Sequence, residues 1–232
     1  MQAGKSKKKT ILVLRPLEQA LVTKEKLLHL GYEAVLCPLT KTCAVAPPRL
    51  DVEKNLYTGA IVTSRAALTH MPLCLRKLLE QLPFYCVGQS TASSLEKFFN
   101  KKASLIQPDA ARLASQLNQL TSQSFVYLTG RVRSQNLEKY LHHRLTLVEL
   151  YDTIAVKPVL AVLSGKKIDA VLVTSRLTAQ LMEPLTPFLS KDSKICCLSH
   201  GIAQNLPASL CCEVFISALP TEESLLQVLH FL

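Results

Sequence analysis

Two segments of the sequence end on the same three residues, Thr-Ser-Arg. They lie at 63–65 and at 174–176, 111 residues apart, and each follows an apolar run. A serine after an apolar strand is a common N-cap, because its hydroxyl accepts a hydrogen bond from a free amide of the next helix. The remaining free amides attract anions, and an arginine beside them binds carboxylates through paired hydrogen bonds. The pattern favours recognition of a carboxylate-rich molecule.

The same residues also have a purely structural interpretation. A helix cap usually contacts no ligand, and two copies at one spacing indicate duplication rather than a binding site. Arginines recur near the predicted strand ends, where they are either solvated charges or carboxylate ligands. These arginines are Arg15, Arg65, Arg131, Arg133 and Arg176. Their recurrence after equivalent strands favours carboxylate recognition.

Few residues are candidates for acid–base chemistry. No carboxylate pair, Cys/His pair or Ser-His-Asp spacing stands out. His200 either titrates near neutral pH or is a polar loop residue. The Tyr151 hydroxyl either projects into an interdomain cleft or packs between linkers. The absence of CxxC, HExxH, Walker and GxGxxG motifs predicts no metal and no nucleotide, which leaves a cofactor-free enzyme or a binding module.

The elements that would position these residues are repeated as well. CVGQSTASSL from Cys86 matches CLSHGIAQNL from Cys197, again 111 residues apart. Short apolar runs alternate with segments of helical period, which predicts βαβ units and parallel sheets formed by internal duplication. Ten predicted strands are too many for one sheet, so we expect two α/β domains. The predicted strands are 10–14, 33–37, 59–63, 84–87, 103–106, 125–129, 146–150, 168–174, 194–198 and 213–217.

Two divisions into domains fit this repeat. A polar stretch at 121–124 is a suitable linker for a linear division. Alternatively, the proline-ended segments around Pro38 and after Tyr151, which are equivalent in the two halves, carry the chain between the domains twice. The middle segment would then form one domain and the two ends the other. The repeat alone does not choose between these arrangements.

Composition restricts the environment and the partners. No apolar run among the 232 residues approaches the roughly 20 needed to cross a bilayer, and no apolar segment follows the lysine-rich start, so we expect a soluble protein without a signal peptide. The eight cysteines fall mostly in apolar runs, which predicts reduced core residues and a cytoplasmic location.

The net charge of +10 suits a small polyanionic partner. The early lysines contribute four of these charges, from Lys5, Lys7, Lys8 and Lys9. Nucleic acid is disfavoured as a partner, because aromatic residues make up only 6% of the chain and tryptophan is absent.

Taken in order, these segments resemble the uroporphyrinogen-III synthase family over nearly the whole chain after the lysines. The matching segments are ILVLRP, GYEAVLCPL, GAIVTSRAAL, CVGQSTASSL, FVYLTGR, VELYDT, DAVLVTSR and LPTEESLLQVL. The resemblance implies two flavodoxin-like parallel-sheet domains joined by a two-stranded connector. It favours the crossing arrangement: 1–9 a flexible basic tail, 10–37 plus 157–232 the first domain, 38–46 and 149–156 the connectors, and 47–148 the second domain.

The resemblance also implies a cofactor-free hydro-lyase. Such an enzyme removes the hydroxyl of the linear tetrapyrrole hydroxymethylbilane as water and closes the ring with its last pyrrole, ring D, inverted. The main task of the protein is to hold a flexible polycarboxylate in the geometry for cyclisation. A cytoplasmic monomer with no nucleic-acid, membrane or metal partner is expected. The alternative is a non-catalytic tetrapyrrole- or polyanion-binding protein that diverged from the same fold.

Individual residues are assigned by the same resemblance. Tyr151 matches the family's tyrosine near the cleft and is expected to assist departure of the hydroxyl. The expected substrate-binding residues are Arg15, Ser64, Arg65, Thr91, Gly130, Ser175, Lys194, Ser199, His200 and Gly201. One loop departs from the family, which commonly has Gly-x-Thr-Thr-Ala where 199–203 reads Ser-His-Gly-Ile-Ala. The missing hydroxyl would either lower activity or be replaced by Ser199 and His200.

Overall fold

The computed structural model describes residues 8–46, 57–133 and 135–231. Most of the predicted basic tail, residues 1–7, and residues 47–56 of the predicted second domain lie outside the described residues. The chain divides into two compact units, and it passes between them at Lys41–Thr42 and again at Thr153–Ile154. Each predicted connector contains one of these points. Their pairing as a separate two-stranded linker stays a prediction.

The first unit contains a five-stranded sheet in which every pairing is parallel. Its strands are β1 (Thr10–Val13), β2 (Glu33–Leu36), β9 (Ala170–Val173), β10 (Lys194–Cys197) and β11 (Glu213–Ile216). They lie in the order β11-β10-β9-β1-β2. Alternate residues of β1 enter different hydrophobic clusters, Leu12 on one face and Ile11 on the other, which is the burial expected of a parallel strand covered on both sides.

Helices follow the strands of this unit. They are α1 (Leu17–His29), α7 (Arg176–Gln180), α8 (His200–Ala203) and α9 (Glu222–Gln227). The buried side chains of α1 include Ala20 and Leu27, which pack in one cluster with Leu225 and Leu226 of α9. The first and last helices of the unit therefore cover the same face of the sheet.

The second unit contains a six-stranded sheet in the order β3-β8-β7-β4-β5-β6. Its strands are β3 (Thr40–Ala44), β4 (Gly59–Val62), β5 (Phe84–Val87), β6 (Leu105–Gln107), β7 (Phe125–Gly130) and β8 (Leu145–Ala155). The pairings from β8 to β6 are parallel. Its helices are α2 (Arg65–Thr69), α3 (Leu73–Leu79), α4 (Gln89–Phe99), α5 (Ala110–Asn118) and α6 (Asn136–Leu141).

The predicted α/β class with two parallel-dominated sheets is confirmed. All ten predicted strands are present, and the structure adds β3, which the sequence analysis placed inside an extended connector. The strand predicted at 146–150 continues to Ala155 as part of β8. Among the described residues, no helix has the length and apolar character that a membrane span requires.

The cysteines agree only partly with the prediction. Four of them are buried: Cys37, Cys86, Cys196 and Cys197. Burial raises the pKa of each of the last three thiols to about 12, so they stay protonated and unreactive at neutral pH. Cys74 and Cys211 are exposed, and for them the core interpretation is wrong, because an apolar sequence neighbourhood does not fix which side chain faces the sheet.

An ion-pair network joins α9 to β1 and α1 in the first unit. The Glu222 carboxylate accepts hydrogen bonds from Arg15 Nη1 at 2.7 Å, Thr23 Oγ1 at 2.5 Å and Lys26 Nζ at 2.5 Å. Burial would by itself raise the pKa of Glu222. The hydrogen bonds from Lys26 and Thr23 and the charge of Arg15 outweigh burial and hold this pKa below its usual value. Ionised Glu222 therefore stabilises the folded unit.

We expect Glu222→Gln to lower the free energy of unfolding by about 1–3 kcal/mol near neutral pH, because it removes the charged acceptor of this network. A lowered folded-state pKa contributes stability above the unfolded-state pKa and loses it as the pH falls through the folded value. The difference in the free energy of unfolding between wild type and variant should therefore disappear at acidic pH. Urea denaturation at a series of pH values measures this difference.

The matched control is Glu223→Gln. The Glu223 side chain is 74% exposed, and within the described residues its one ion pair is with Lys26 at 3.1 Å, so this change should cost less than about 0.5 kcal/mol. Equal losses in the two variants would contradict a special role for Glu222.

Candidate functional site

The carboxyl ends of parallel strands are where α/β proteins bind ligands, and both repeated Thr-Ser-Arg segments lie there. Ser64 follows β4 and accepts a hydrogen bond from the Ala66 amide at 3.2 Å. Ser175 follows β9 and accepts one from the Thr178 amide at 3.1 Å. The N-cap prediction is confirmed for both serines. Each unit thus has a helix start at the carboxyl edge of its own sheet.

In the second unit, Tyr151 lies directly beside Gly130, the last residue of β7. The Arg131 amide donates to the Tyr151 carbonyl oxygen at 3.0 Å. A Cβ added to Gly130 would lie 2.7 Å from both Cε2 and Cζ of Tyr151. The phenol ring therefore packs on the backbone of residue 130, and only glycine leaves room for it there.

A register shift produces this contact. Thr129 pairs with Glu149, whereas Gly130 pairs with Tyr151, so β8 contains one extra residue at this point. Such a bulge re-aims the side chains that follow it. The bulge determines where the Tyr151 ring lies relative to the end of β7.

Polar groups surround the Tyr151 ring. The His70 ring is stacked beside it with centroids 6.0 Å apart, and the side chain of Ser64 lowers the pKa of its hydroxyl. His70 Nε2 lies 2.8 Å from the hydroxyl of Thr42. A second hydroxyl pair, Thr63 with Tyr127 at 3.0 Å, lies at the end of β4.

The Tyr151 hydroxyl is held in its neutral form. Burial raises its pKa, the hydrogen bond with Ser64 lowers it, and interaction with Tyr127 raises it again, so that the pKa is above the usual tyrosine value. A neutral phenol is a proton donor at physiological pH. In this setting Tyr151 is suited to donate a proton or a hydrogen bond to a leaving oxygen.

Sequence analysis missed His70. Its counterpart in the second copy of the repeat, 111 residues further on, is Leu181. A polar residue in only one copy of a duplication was the available signal, because it departs from the shared framework. Thr42 was missed for a different reason, since it lies in β3, which was not predicted as a strand.

The remaining predicted residues of the second unit differ in their surroundings. Arg65 begins α2 and forms no ion pair within the described chain. Thr91 lies in the first turn of α4 after Gly88, which has a φ of 79°, and it is buried. Arg133 is bound by Glu138 at 2.7 Å and Glu149 at 2.9 Å. Arg65 is therefore better placed than Arg133 to meet an external carboxylate.

In the first unit, the structure brings Ser175, Arg176 and the start of α8 together. A Cβ added to Gly201 would lie 3.2 Å from a terminal nitrogen of Arg176, so the guanidinium passes close to the backbone of α8. Ser199 caps α8 without a side-chain hydrogen bond, and His200 is exposed at its first position. Like Arg65, Arg176 forms no ion pair to any described residue.

Two predicted residues of this unit have other surroundings. Arg15 is only 17% exposed and is bound to Glu222. Lys194 begins β10 and pairs with Glu213 of β11, at the amino edge of the sheet. Ser199 follows the other end of the same strand, so the structure does not bring Lys194 together with it. Lys194 is the first residue of β10, and the first residue of a parallel strand lies at the amino edge of the sheet.

No group of three or more histidine, cysteine or acidic side chains that could hold a metal ion occurs within the described residues. The site in each unit consists instead of hydroxyls, helix starts and an arginine, and the second unit adds a neutral phenol. This combination defines a two-sheet α/β protein with a helix start and an arginine at the carboxyl edge of each sheet.

The chain belongs to the uroporphyrinogen-III synthase family. The family model described as Uroporphyrinogen-III synthase HemD matches residues 22–227. No curated protein sequence gave a significant match.

One solved structure agrees with the fold, and a second has a lower TM-score. A crystal structure of a mutant uroporphyrinogen III synthase from the bacterium Thermus thermophilus is 14% identical and covers 96% of this chain and 98% of its own, with a TM-score of 0.51. A wild-type crystal form from the same organism is 14% identical and covers 95% of this chain and 96% of its own, with a TM-score of 0.39. At this identity the first likeness shows the fold alone.

Proposed function

We propose that this protein is a uroporphyrinogen-III synthase that cyclises hydroxymethylbilane with loss of water and inversion of ring D, without a cofactor. Membership of the family supports the class of enzyme. The observation that carries the proposal is the setting of Tyr151, a neutral phenol held between Ser64, His70 and the backbone of Gly130. A cytoplasmic monomer is part of the same proposal.

Loss of the substrate hydroxyl as water requires one proton donor from the protein. Tyr151 hydrogen-bonds to the substrate hydroxyl and donates its proton as the carbon–oxygen bond breaks, so that water leaves. The pyrrole nitrogen supplies the electrons that stabilise the resulting azafulvenium. The substituted carbon of ring D then attacks the azafulvenium and forms a spiro centre. The bond from this carbon to its own bridging methylene breaks, which leaves an azafulvenium on the neighbouring ring. The unsubstituted carbon of ring D attacks that methylene and loses its proton, which balances the proton donated and leaves ring D inverted. Because the pKa of Tyr151 lies above the usual tyrosine value, the phenol is fully protonated at neutral pH and gives up its proton only as the departing oxygen gains charge.

Binding of the carboxylates is assigned to both carboxyl edges. Arg65 and Ser64 in the second unit, and Ser175 with the start of α8 in the first, offer cationic and amide donors. Arg176, one of the recurrent arginines identified in the sequence, extends the set of substrate-binding residues that the family resemblance assigned. Arg15 is already bound to Glu222 and would have to bind the substrate beside this glutamate, whereas Lys194 pairs with Glu213 at the opposite, amino edge of the sheet.

The altered loop at 199–203 keeps its amide donors. A helix start binds anions through backbone N–H groups, which do not depend on the side chain at residue 202. His200 and Ser199 supply the polar side chains that the loop retains. We therefore propose that the loop still contacts a substrate carboxylate.

The isomer of uroporphyrinogen that the protein forms tests the proposed function. Hydroxymethylbilane generated enzymatically is supplied to the purified protein, and the uroporphyrinogen isomers are separated after oxidation. We expect type III to predominate, because the protein directs closure at the substituted carbon. Type I alone, at the rate seen without protein, would overturn the proposal. Tight binding of the substrate in that case would identify a non-catalytic binding protein.

A further inference from the structure

A cationic cavity lies on the first unit at the edge of the sheet opposite to the helix starts. It is formed where β1, β2 and β9 begin and has a volume of about 400 Å³. The charged residues that line it are Lys8, Lys9, Glu33, Lys166, Lys167 and Asp169. Because Ser175 follows the carboxyl end of β9 and His200 follows that of the neighbouring β10, the cavity lies at the opposite edge of this sheet from the proposed substrate-binding residues of the first unit.

The positive charge of the cavity is only partly neutralised. Lys166 Nζ lies 3.1 Å from a Glu33 carboxylate oxygen. Lys167 Nζ lies 3.8 Å from Asp169, which is too far for a hydrogen bond. Lys8 and Lys9 are exposed and have no carboxylate partner within the described residues. Three ammonium groups therefore keep their hydrogen-bond donors available.

The acidic residues of the cavity have structural partners of their own. The other oxygen of Asp169 accepts a hydrogen bond from the Thr10 amide at 2.7 Å, which ties the starts of β9 and β1 together. Glu33 is the first residue of β2, and its amide donates to the Lys9 carbonyl at 2.9 Å. These contacts hold the backbone beneath Lys9 in place. Lysines whose backbone is held around one concavity are presented together to a compact anion, unlike independent surface charges.

We propose that this cavity binds a compact anion with clustered phosphate groups. Ammonium groups act as point charges toward phosphate, and several of them around one cavity favour a small ligand that carries several charges. The cavity volume is at the lower end of the range of small-molecule pockets, which suits an oligophosphate. The same chemistry occurs in a free oligophosphate and in the headgroup of a phosphorylated lipid. Lys8 and Lys9, which the synthase chemistry does not use, contribute directly to this site.

Calorimetric titration with tripolyphosphate tests the proposal on the full chain. We expect saturable binding of one ion per protein and a loss of affinity of about tenfold or more in Lys166→Gln/Lys167→Gln, because two of the four charges are removed. The control Lys139→Gln/Lys191→Gln removes the same net charge from exposed lysines elsewhere and should bind as the wild type does. Equal weakening in both double variants, or no saturable binding, would overturn the proposal.

Two further variants test whether the loss of binding comes from misfolding and whether residues 1–7 bind the ion instead of the cavity. Lys8→Gln/Lys9→Gln removes the other two lysine charges of the cavity and should weaken binding similarly. Circular dichroism of this variant checks that it is folded. Deletion of residues 1–7 should leave affinity within about threefold, since the four cavity lysines remain. If that deletion abolishes binding while Lys166→Gln/Lys167→Gln retains it, the ion binds the tail and the proposal fails.

Vesicle sedimentation separates the two sources of phosphate. Vesicles of phosphatidylcholine are compared with vesicles that also contain phosphatidylinositol bisphosphate. Retention on the second kind that tripolyphosphate reverses would support a lipid headgroup. Binding of tripolyphosphate without retention would support a free oligophosphate. Retention that persists in Lys166→Gln/Lys167→Gln would contradict the site, and type III product formation should be unchanged in all these variants.

Discussion

Tyr151→Phe should lower the turnover number for type III formation by about 100-fold or more, with a small change in KM. The substitution removes one hydroxyl and keeps the ring that packs on Gly130. The proton donor for the leaving hydroxyl is lost, whereas the cationic and amide donors that bind the carboxylates remain. Steady-state measurements with isomer analysis separate these effects. A turnover number equal to that of the wild type would show that the hydroxyl takes no part in catalysis.

The control for this prediction is Tyr140→Phe. Tyr140 lies on α6 in the same unit and is 46% exposed, so loss of its hydroxyl should leave turnover unchanged. His70→Ala is informative beside it, because it removes the stacked ring and the contact with Thr42 while leaving the Tyr151 phenol in place. We expect an intermediate loss of turnover from this change.

The pH dependence follows from the sign of the Tyr151 shift. A proton donor works in its protonated form, and a raised pKa extends that form to higher pH than in an ordinary tyrosine. Ionisation of Tyr151 should therefore lower turnover only above about pH 10. A decline of turnover near pH 8 that is absent from Tyr151→Phe would contradict this assignment.

The sheets could be predicted from the sequence because their central strands are buried on both faces. Such strands consist of short, continuous apolar runs, as in Thr10–Val13 and Ala170–Val173, and the repeat locates their equivalents. Residues 40–44 were not predicted as a strand because they alternate threonine with lysine and cysteine at the edge of a sheet. Edge strands have one side free of pairing, so apolar content is a weak signal for them.

The candidate site was predictable where it depends on local structure. Ser64 and Ser175 cap helices because a serine after a strand does so in most contexts. The partner of Arg15 was not predictable, since Glu222 is 207 residues away and tertiary packing alone brings the two together. The contact between Gly130 and Tyr151 depends on a one-residue register shift that leaves no mark in the sequence. Residue types determine the chemistry available, and strand register determines which groups meet.

Gly130→Ala should reduce type III formation nearly as much as loss of the Tyr151 hydroxyl. The new Cβ would lie 2.7 Å from two ring carbons and 3.1 Å from the hydroxyl oxygen of Tyr151, so the ring must move from its position beside Gly130. A displacement of about 1 Å at a catalytic group costs on the order of 100-fold in rate. Crowding of this kind should also lower the free energy of unfolding by about 1–3 kcal/mol.

Gly59→Ala separates the catalytic effect from the stability effect. A Cβ on Gly59 would overlap Cε2 of Tyr85, a clash of the same kind in the same sheet, but at the start of β4 rather than at the carboxyl edge. Both variants should be destabilised, and only Gly130→Ala should lose turnover per folded molecule, measured below the unfolding transition. Equal losses of turnover in the two would mean that crowding of the sheet, and not the position of Tyr151, limits the rate.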